Sequence, residues 1–164
     1  PLPEAPVDRF MMKVFVEYPS KEDELEIMRR ISNMQFDFTV NTILSKEDIF
    51  DIRSQVNKVK ISEWLERYII ELVYATRFPL EYNMKEQAQY IQFGASPRAS
   101  INLNLASKAV AYMDGRDYVL PEDIKEIAMD VMNHRILMNY EAEADNVSTK
   151  DIIKALLTKV PINK

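Results

Sequence analysis

From Ser20 almost to the C-terminus the hydrophobic positions fall at helical spacing, whereas the stretch before it follows a different rule. Met12, Val14, Val16 and Tyr18 alternate with Lys13, Phe15 and Glu17 as far as Pro19. A short, largely apolar run of this kind predicts a mostly buried β-strand. Ser20 with Asp23 then has the [ST]-x-x-[DE] spacing of a helix start, with an acid near the positive helix end. Leu25, Ile27, Met28 and Ile31 supply that helix with a face to bury. Residues 33–44 are irregular, and the alternation of Phe36, Phe38 and Val40 allows a short strand or a packed loop. Ser45 and Asp48 repeat the capping signal, ahead of Ile49, Ile52 and Val56 at helical spacing.

The helical pattern is strongest from residue 62 to 76. Trp64, Tyr68 and Leu72 stand one above another at i, i+4 and i+8, flanked by Leu65 and Ile69. Residues 77–93 contain Pro79 and no clear period, which predicts a loop with a short strand near residues 90–93. Ser96-Pro97 marks another start: serine caps free amides, and proline fits the first helical position, where its missing N–H costs nothing. Ile101, Leu105, Ala109 and Tyr112 form the expected buried stripe, and Gly115 the expected stop. Pro121, Glu122 and Asp123 open a helix with Ile124, Ile127, Ala128 and Val131 facing inward. Ser148 with Asp151 opens the last, carried by Ile152, Leu156, Leu157 and Val160. The sum is a mainly α chain of about six helices with one strand near its start. A lone strand is not stable, so residues 8–19 read as part of a sheet whose other strands are missing.

Composition narrows the function more than the fold. The 164 residues are 47% hydrophobic and 29% charged, the balance of one soluble domain, or of one domain with an appendage. No cysteine is present, which excludes disulfides and thiolate chemistry and suits a reducing cytoplasm. No apolar run approaches the roughly 18 residues of a membrane span, and no signal-peptide pattern opens the chain. Pro1 in place of methionine points to a processed or cut segment. The formal net charge is −5 and no basic stripe is evident, which argues against nucleic acid. The two glycines, Gly94 and Gly115, stand too far apart for a glycine-rich phosphate loop.

Side-chain chemistry is correspondingly sparse. His134 is the single histidine, so no multi-His metal site and no Ser/His/Asp arrangement can be argued, and a structural role is expected. The nine methionines and the Trp64/Tyr68 stripe read as core. Glu141, Glu143 and Asp145 read as a solvated face, and no metal ligands are assigned. Arg98 is less ordinary. A cation in the first helical turn faces the positive end of the macrodipole, at about 0.3–1 kcal/mol. A phosphate nearby would offset that cost, and so would a salt bridge to a carboxylate elsewhere.

Two segments resemble one family. Leu2-Pro3-Glu4-Ala5-Pro6-Val7-Asp8-Arg9-Phe10 resembles the LPEAQ-x-DRF box of MoxR-type AAA+ ATPases, and Gly94-Ala95-Ser96-Pro97-Arg98-Ala99-Ser100 matches their GASPRAS box. Gly115-Arg116-Asp117-Tyr118-Val119 with Pro121-Glu122-Asp123 resembles the GRDYV-x-PEDV segment, and His134-Arg135-Ile136 stands where the family has HRI. The resemblance implies the last strand of an α/β ATP-binding core (residues 1–19) followed by a helical lid (residues 20–164). It implies Arg9 as an arginine finger acting in trans and Arg98 as the second-sensor arginine, touching nucleotide. Both roles suit a forked, always-charged guanidinium. The implied parent binds ATP and Mg2+, hydrolyses ATP as a ring, taken as a hexamer, and serves as a chaperone-like remodelling or metal-insertion motor. Its implied clients are von Willebrand factor A domain proteins. The present chain, without a phosphate loop, is expected neither to hydrolyse ATP nor to bind it tightly. Pro6 departs from the usual glutamine, and Leu120 from a common capping threonine. Two other readings stand beside this one: a standalone helical interaction module, and the lid of a nucleic-acid-working AAA+ relative.

Overall fold

The computed structural model describes residues 4–32 and 39–162. In chain order the elements are α1 (Glu4–Val7), α2 (Lys21–Ser32), α3 (Lys46–Lys58), α4 (Glu63–Arg77), a 3-10 turn (Pro79–Tyr82), α5 (Lys85–Ala88), β1 (Ile91–Phe93), α6 (Pro97–Met113), α7 (Pro121–Met132), β2 (Leu137–Met138), α8 (Tyr140–Ala144) and α9 (Thr149–Lys159). The chain is therefore mainly α, as the spacing predicts. Among the described residues, no helix is long and apolar enough to cross a membrane.

Local chemistry explains the boundaries. Ser45 and Ser148 each accept from the amide three residues on, and Asp48 and Asp151 each reach back to the serine amide, completing two capping boxes. Asn139 Oδ1 accepts from Ala142 N at 3.1 Å and starts α8. α6 stops at Gly115, whose φ of +73° is left-handed, and the Arg116 amide closes back onto Ala111 O at 2.8 Å. Arg116 then grips Asp123 with two hydrogen bonds, of 2.8 and 2.6 Å, while Asp123 accepts from Leu120 N at 2.7 Å. This pair ties the end of α6 to the start of α7. Burial pushes the Asp123 carboxyl up, but Arg116 and the Leu120 amide outweigh it, and the group lies below the usual carboxylate range.

The core lies among α4, α6, α7 and α9. Leu65, Ile69, Leu72 and Val73 of α4 meet Ala99, Leu103 and Ala106 of α6, with Ile124, Ala128, Val131 and Met132 of α7 and Ile152, Ile153 and Leu156 of α9. The stripe expected on α7 is the buried one, and so is that on α4 apart from Trp64, which is half-buried. On α6 the expected face is wrong. Ile101 and Leu105 are exposed, Ala109 and Tyr112 only half-buried, and the buried residues are Ala99, Leu103, Ala106, Ser107, Val110 and Ala111. α6 is apolar on more than one side, and its small residues are the ones that let α4 and α7 approach. β1 and β2 form a two-stranded antiparallel sheet pairing Ile91 with Met138 and Phe93 with Leu137.

The N-terminal expectations need correction. No strand forms over residues 8–19: after a turn at Arg9–Phe10 the chain has no regular secondary structure and, apart from the half-buried Met12, is exposed, with Val16 and Tyr18 at 93% and 99% exposure. Extended backbone becomes sheet only beside another strand, and among the described residues none lies alongside. The apolar face of α2 remains unburied, with Leu25, Ile27, Met28 and Ile31 all exposed; on α3, Ile49 is exposed while Ile52 and Val56 are half-buried. The possible strand at Phe36 and Phe38 lies outside the described residues, as do Leu2 and Pro3 of the first box.

Candidate functional site

The GASPRAS segment is held from behind by α4. Ala95 N donates to the buried Thr76 Oγ1 at 2.9 Å, and Arg77 Nε donates to Ala95 O at 2.7 Å. Gly94 leaves no room for a side chain, since a Cβ there would stand 2.5 Å from Thr76 O. From this anchor Ser96 caps α6, accepting from Arg98 N at 3.2 Å, and Pro97 takes the first helical position. Arg98 thus leaves the first turn of a 17-residue helix, with its side chain 53% exposed.

The DRF segment docks against the same helix start. α1 is a single turn in which Pro6 falls among the first positions, whose amides have no intrahelical partner, so replacing glutamine there removes no helix bond. Arg9 N donates to Pro6 O at 3.2 Å and Phe10 N to Val7 O at 3.1 Å, turning the chain. The turn aims the Asp8 carboxylate at the α6 start. Ser96 Oγ lies 3.0 and 2.9 Å from its two oxygens, Arg98 Nη1 donates to Oδ2 at 3.0 Å, and Arg135 Nε donates to Oδ1 at 3.2 Å. Partial burial pushes this carboxyl up, but the Arg98 and Ser96 hydrogen bonds and the charges of Arg135 and Arg98 outweigh it, leaving Asp8 below the usual carboxylate range.

The two arginines singled out in the sequence therefore fare differently. Arg98 has the carboxylate partner that the sequence left open as an alternative to phosphate, and that partner is Asp8. Arg9 is exposed, and its guanidinium has no ion pair or hydrogen bond among the described residues, although Asp8 is its chain neighbour. Two guanidiniums, of Arg98 and Arg135, thus hold one carboxylate, and the exposed Arg9 follows it in a chain of net charge −5. Such a cluster favours an anion.

Arg135 had no assigned role in the sequence beyond its place in the HRI triplet. Its side chain is 0% exposed, just beyond α7. It donates to Asp8 O at 3.1 Å, to Met11 O at 3.2 Å, and to Phe10 O and Val131 O. The one local signal is a charge set among the apolar positions Val131, Met132 and Ile136, since a buried arginine requires partners. His134 is structural in the way expected: its Nε2 lies 3.1 Å from Phe10 O. Burial holds its pKa below the ordinary value, as do Arg135 and Lys13, against the Phe10 carbonyl and Asp8. The imidazole is therefore neutral near pH 7, with Nε2 as the donor. Glu141 and Glu143 lie exposed on α8, and Asp145 accepts from Tyr90 Oη at 3.0 Å.

Comparison with known proteins places these features in a family. Residues 84–156 match the AAA lid domain family. The chaperone MoxR1 of Mycobacterium tuberculosis is 37% identical over 162 residues, covering 99% of this chain and 42% of MoxR1. YeaC of Bacillus subtilis is 32% identical over 166 residues, covering 100% of this chain and 49% of YeaC. A solved structure of a candidate ATPase from Cytophaga hutchinsonii superposes with a TM-score of 0.94 at 61% identity, covering 100% of this chain and 50% of that one. The chain spans about half the length of the curated relatives it matches. With the helical bundle, the family match over residues 84–156 and the MoxR relatives in agreement, the chain carries an AAA lid domain and is similar along its whole length to MoxR-type AAA+ ATPases.

Proposed function

We propose that this chain is the C-terminal part of a ring-forming, ATP-hydrolysing MoxR-type motor, with residues 1–19 closing the ATP-binding core and residues 20–164 forming the lid. The observation that carries the reading is the Asp8 carboxylate held by Arg98 and Arg135, with the exposed Arg9 next to it in the chain. It puts the Arg9 guanidinium, which has no ion pair among the described residues, and the half-exposed Arg98 at the edge of the lid, where the phosphate end of ATP would be received. The exposed apolar residues Val14, Phe15, Val16 and Tyr18 and the exposed apolar side of α2 support an upstream half that covers both.

In this reading Arg9 reaches the nucleotide of the neighbouring subunit, and Arg98 meets the phosphates from the lid. These residues fit the phosphate end of ATP, but the sequence holds no glycine-rich phosphate loop, and among the described residues no cluster of His, Asp and Glu could hold a metal ion. When bound in the parent, Mg2+ would neutralise charge on the phosphates. The two arginines would add fixed positive charge as the phosphoryl group transfers. The name of the chaperone MoxR1 supports a chaperone-like role; remodelling or metal loading of client proteins, with von Willebrand factor A domain proteins as the first clients to test, is what the family resemblance adds.

The experiment joins this sequence to its upstream half and follows ATP hydrolysis against protein concentration, with ATP binding measured separately. Hydrolysis should rise as subunits assemble. Arg9→Ala should lower kcat by roughly 10³-fold or more, the scale of an arginine finger, without loss of ATP binding. Normal turnover by Arg9→Ala would remove the finger assignment.

A further inference from the structure

The grip of Arg135 on the segment around Arg9 goes beyond what holding the chain end would need. Its Nε, Nη1 and Nη2 reach the Asp8 carboxylate and the main-chain carbonyls of Asp8, Phe10 and Met11. These acceptors belong to the residue before Arg9 and the two after it. His134 adds a contact to Phe10 O at 3.1 Å, and Lys13 N donates to Asp130 O at 2.8 Å. The side chains of Arg135 and His134 and the Asp130 carbonyl of α7 thus fix the main chain on both sides of Arg9, while the Arg9 side chain itself is exposed and has no ion pair or hydrogen bond among the described residues.

We infer that Arg135 is the positioning residue for Arg9: it makes the finger segment a rigid extension of its own lid, and Asp8 joins that extension to Arg98. This inference rests on the reading of Arg9 as a finger. A buried guanidinium is costly unless its donors are satisfied, and here the finger segment supplies most of the acceptors. Lysine cannot replace it, because a single ammonium cannot span the Asp8 carboxylate and three separate carbonyls. Any displacement of the lid that follows Arg98 therefore carries Arg9 with it. In a ring, the nucleotide state met by Arg98 would in this way set how Arg9 is offered to the neighbour.

The test is a double-mutant cycle in the ATPase with its upstream half in place. Arg135→Lys should lower kcat by about 10²-fold, the scale of a misplaced catalytic group, with KM for ATP essentially unchanged. Combined with Arg9→Ala it should cause no further loss, since a misplaced finger and a missing finger fail in the same way. A double variant slower than Arg9→Ala by the full Arg135→Lys factor overturns the inference, because Arg135 would then act independently of Arg9. If Arg9→Ala alone turns over normally, the finger reading itself has failed. Hydrogen exchange on the 164-residue chain separates misplacement from misfolding. In Arg135→Lys the amides of Arg9, Phe10 and Lys13 should exchange faster while those of α4, α6 and α7 keep their protection. Should α7 lose protection too, Asp8→Asn, which leaves Arg135 in place, carries the same cycle. Native kcat in that variant overturns the inference.

Discussion

Replacing Asp123 by alanine removes one acceptor from three donors at once: Arg116 Nη1 and Nη2 and the Leu120 amide. The Asp123 side chain is 4% exposed and that of Arg116 19%, so the substitution leaves a largely desolvated guanidinium with only Asp114 and Tyr118 O to meet. Breaking a buried pair by removing one partner costs about 3–5 kcal/mol. The partial access of water to Arg116 brings this to about 2–4 kcal/mol. At about 2–4 °C per kcal/mol for a chain of this size, the melting temperature should fall by roughly 5–15 °C. The same arginine provides the control. Asp114 also accepts from Arg116, at 2.9 Å, but is 61% exposed, and pairs of that kind are worth about 1 kcal/mol or less. Thermal unfolding followed by circular dichroism on Asp123→Ala and Asp114→Ala distinguishes the two cases. Equal and small shifts would refute the reasoning, because burial, and not the count of ion pairs, is what separates them.

Further expectations follow from single positions. Gly94→Ala should destabilise by about 1–3 kcal/mol, the scale of overpacking, because its Cβ would meet Thr76 backbone atoms at 2.5 and 2.6 Å; chemical denaturation measures the change. Leu120→Thr should stabilise by about 1 kcal/mol, because the extended backbone before α7 suits a side-chain cap that leucine cannot make. An unchanged denaturation midpoint would show that Asp123 already saturates that helix start. His134 has a folded pKa below its ordinary 6.5, so the folded protein disfavours the charged form. Its contribution to stability is present above pH 6.5 and is lost as pH falls through the folded value. Stability measured across that range should fall less steeply in His134→Gln than in the native chain.

What the sequence disclosed and what it withheld divide along physical lines. The caps at Ser45, Ser96 and Ser148 were legible because a cap is made between residues two or three apart. The α4 and α7 faces were legible because each has a single apolar stripe. α6 was misjudged because apolar residues occupy more than one of its sides, and the choice among them belongs to α4 and α7. Residues 13–19 and the face of α2 are apolar as the pattern indicates, but among the described residues they stay exposed, whereas Met12 and the Ile52 and Val56 side of α3 are half-buried. The Asp8 cluster joins residues 88, 90 and 127 positions apart, and no local period reports such a separation. Its members nevertheless lie in three of the quoted segments, and a charge standing among buried neighbours was a sign that Arg135 needed partners.

The central claim is that Arg9 completes a neighbour's site, and mixed rings test it most directly. Subunits carrying Arg9→Ala, with an intact upstream half, are mixed with subunits that keep Arg9 but have a disabled phosphate loop. Each preparation alone should be nearly inactive, and mixing should restore a measurable part of the ATP hydrolysis, because intact sites then receive arginines from their neighbours. Absence of recovery in rings shown to be mixed would contradict action across the subunit boundary.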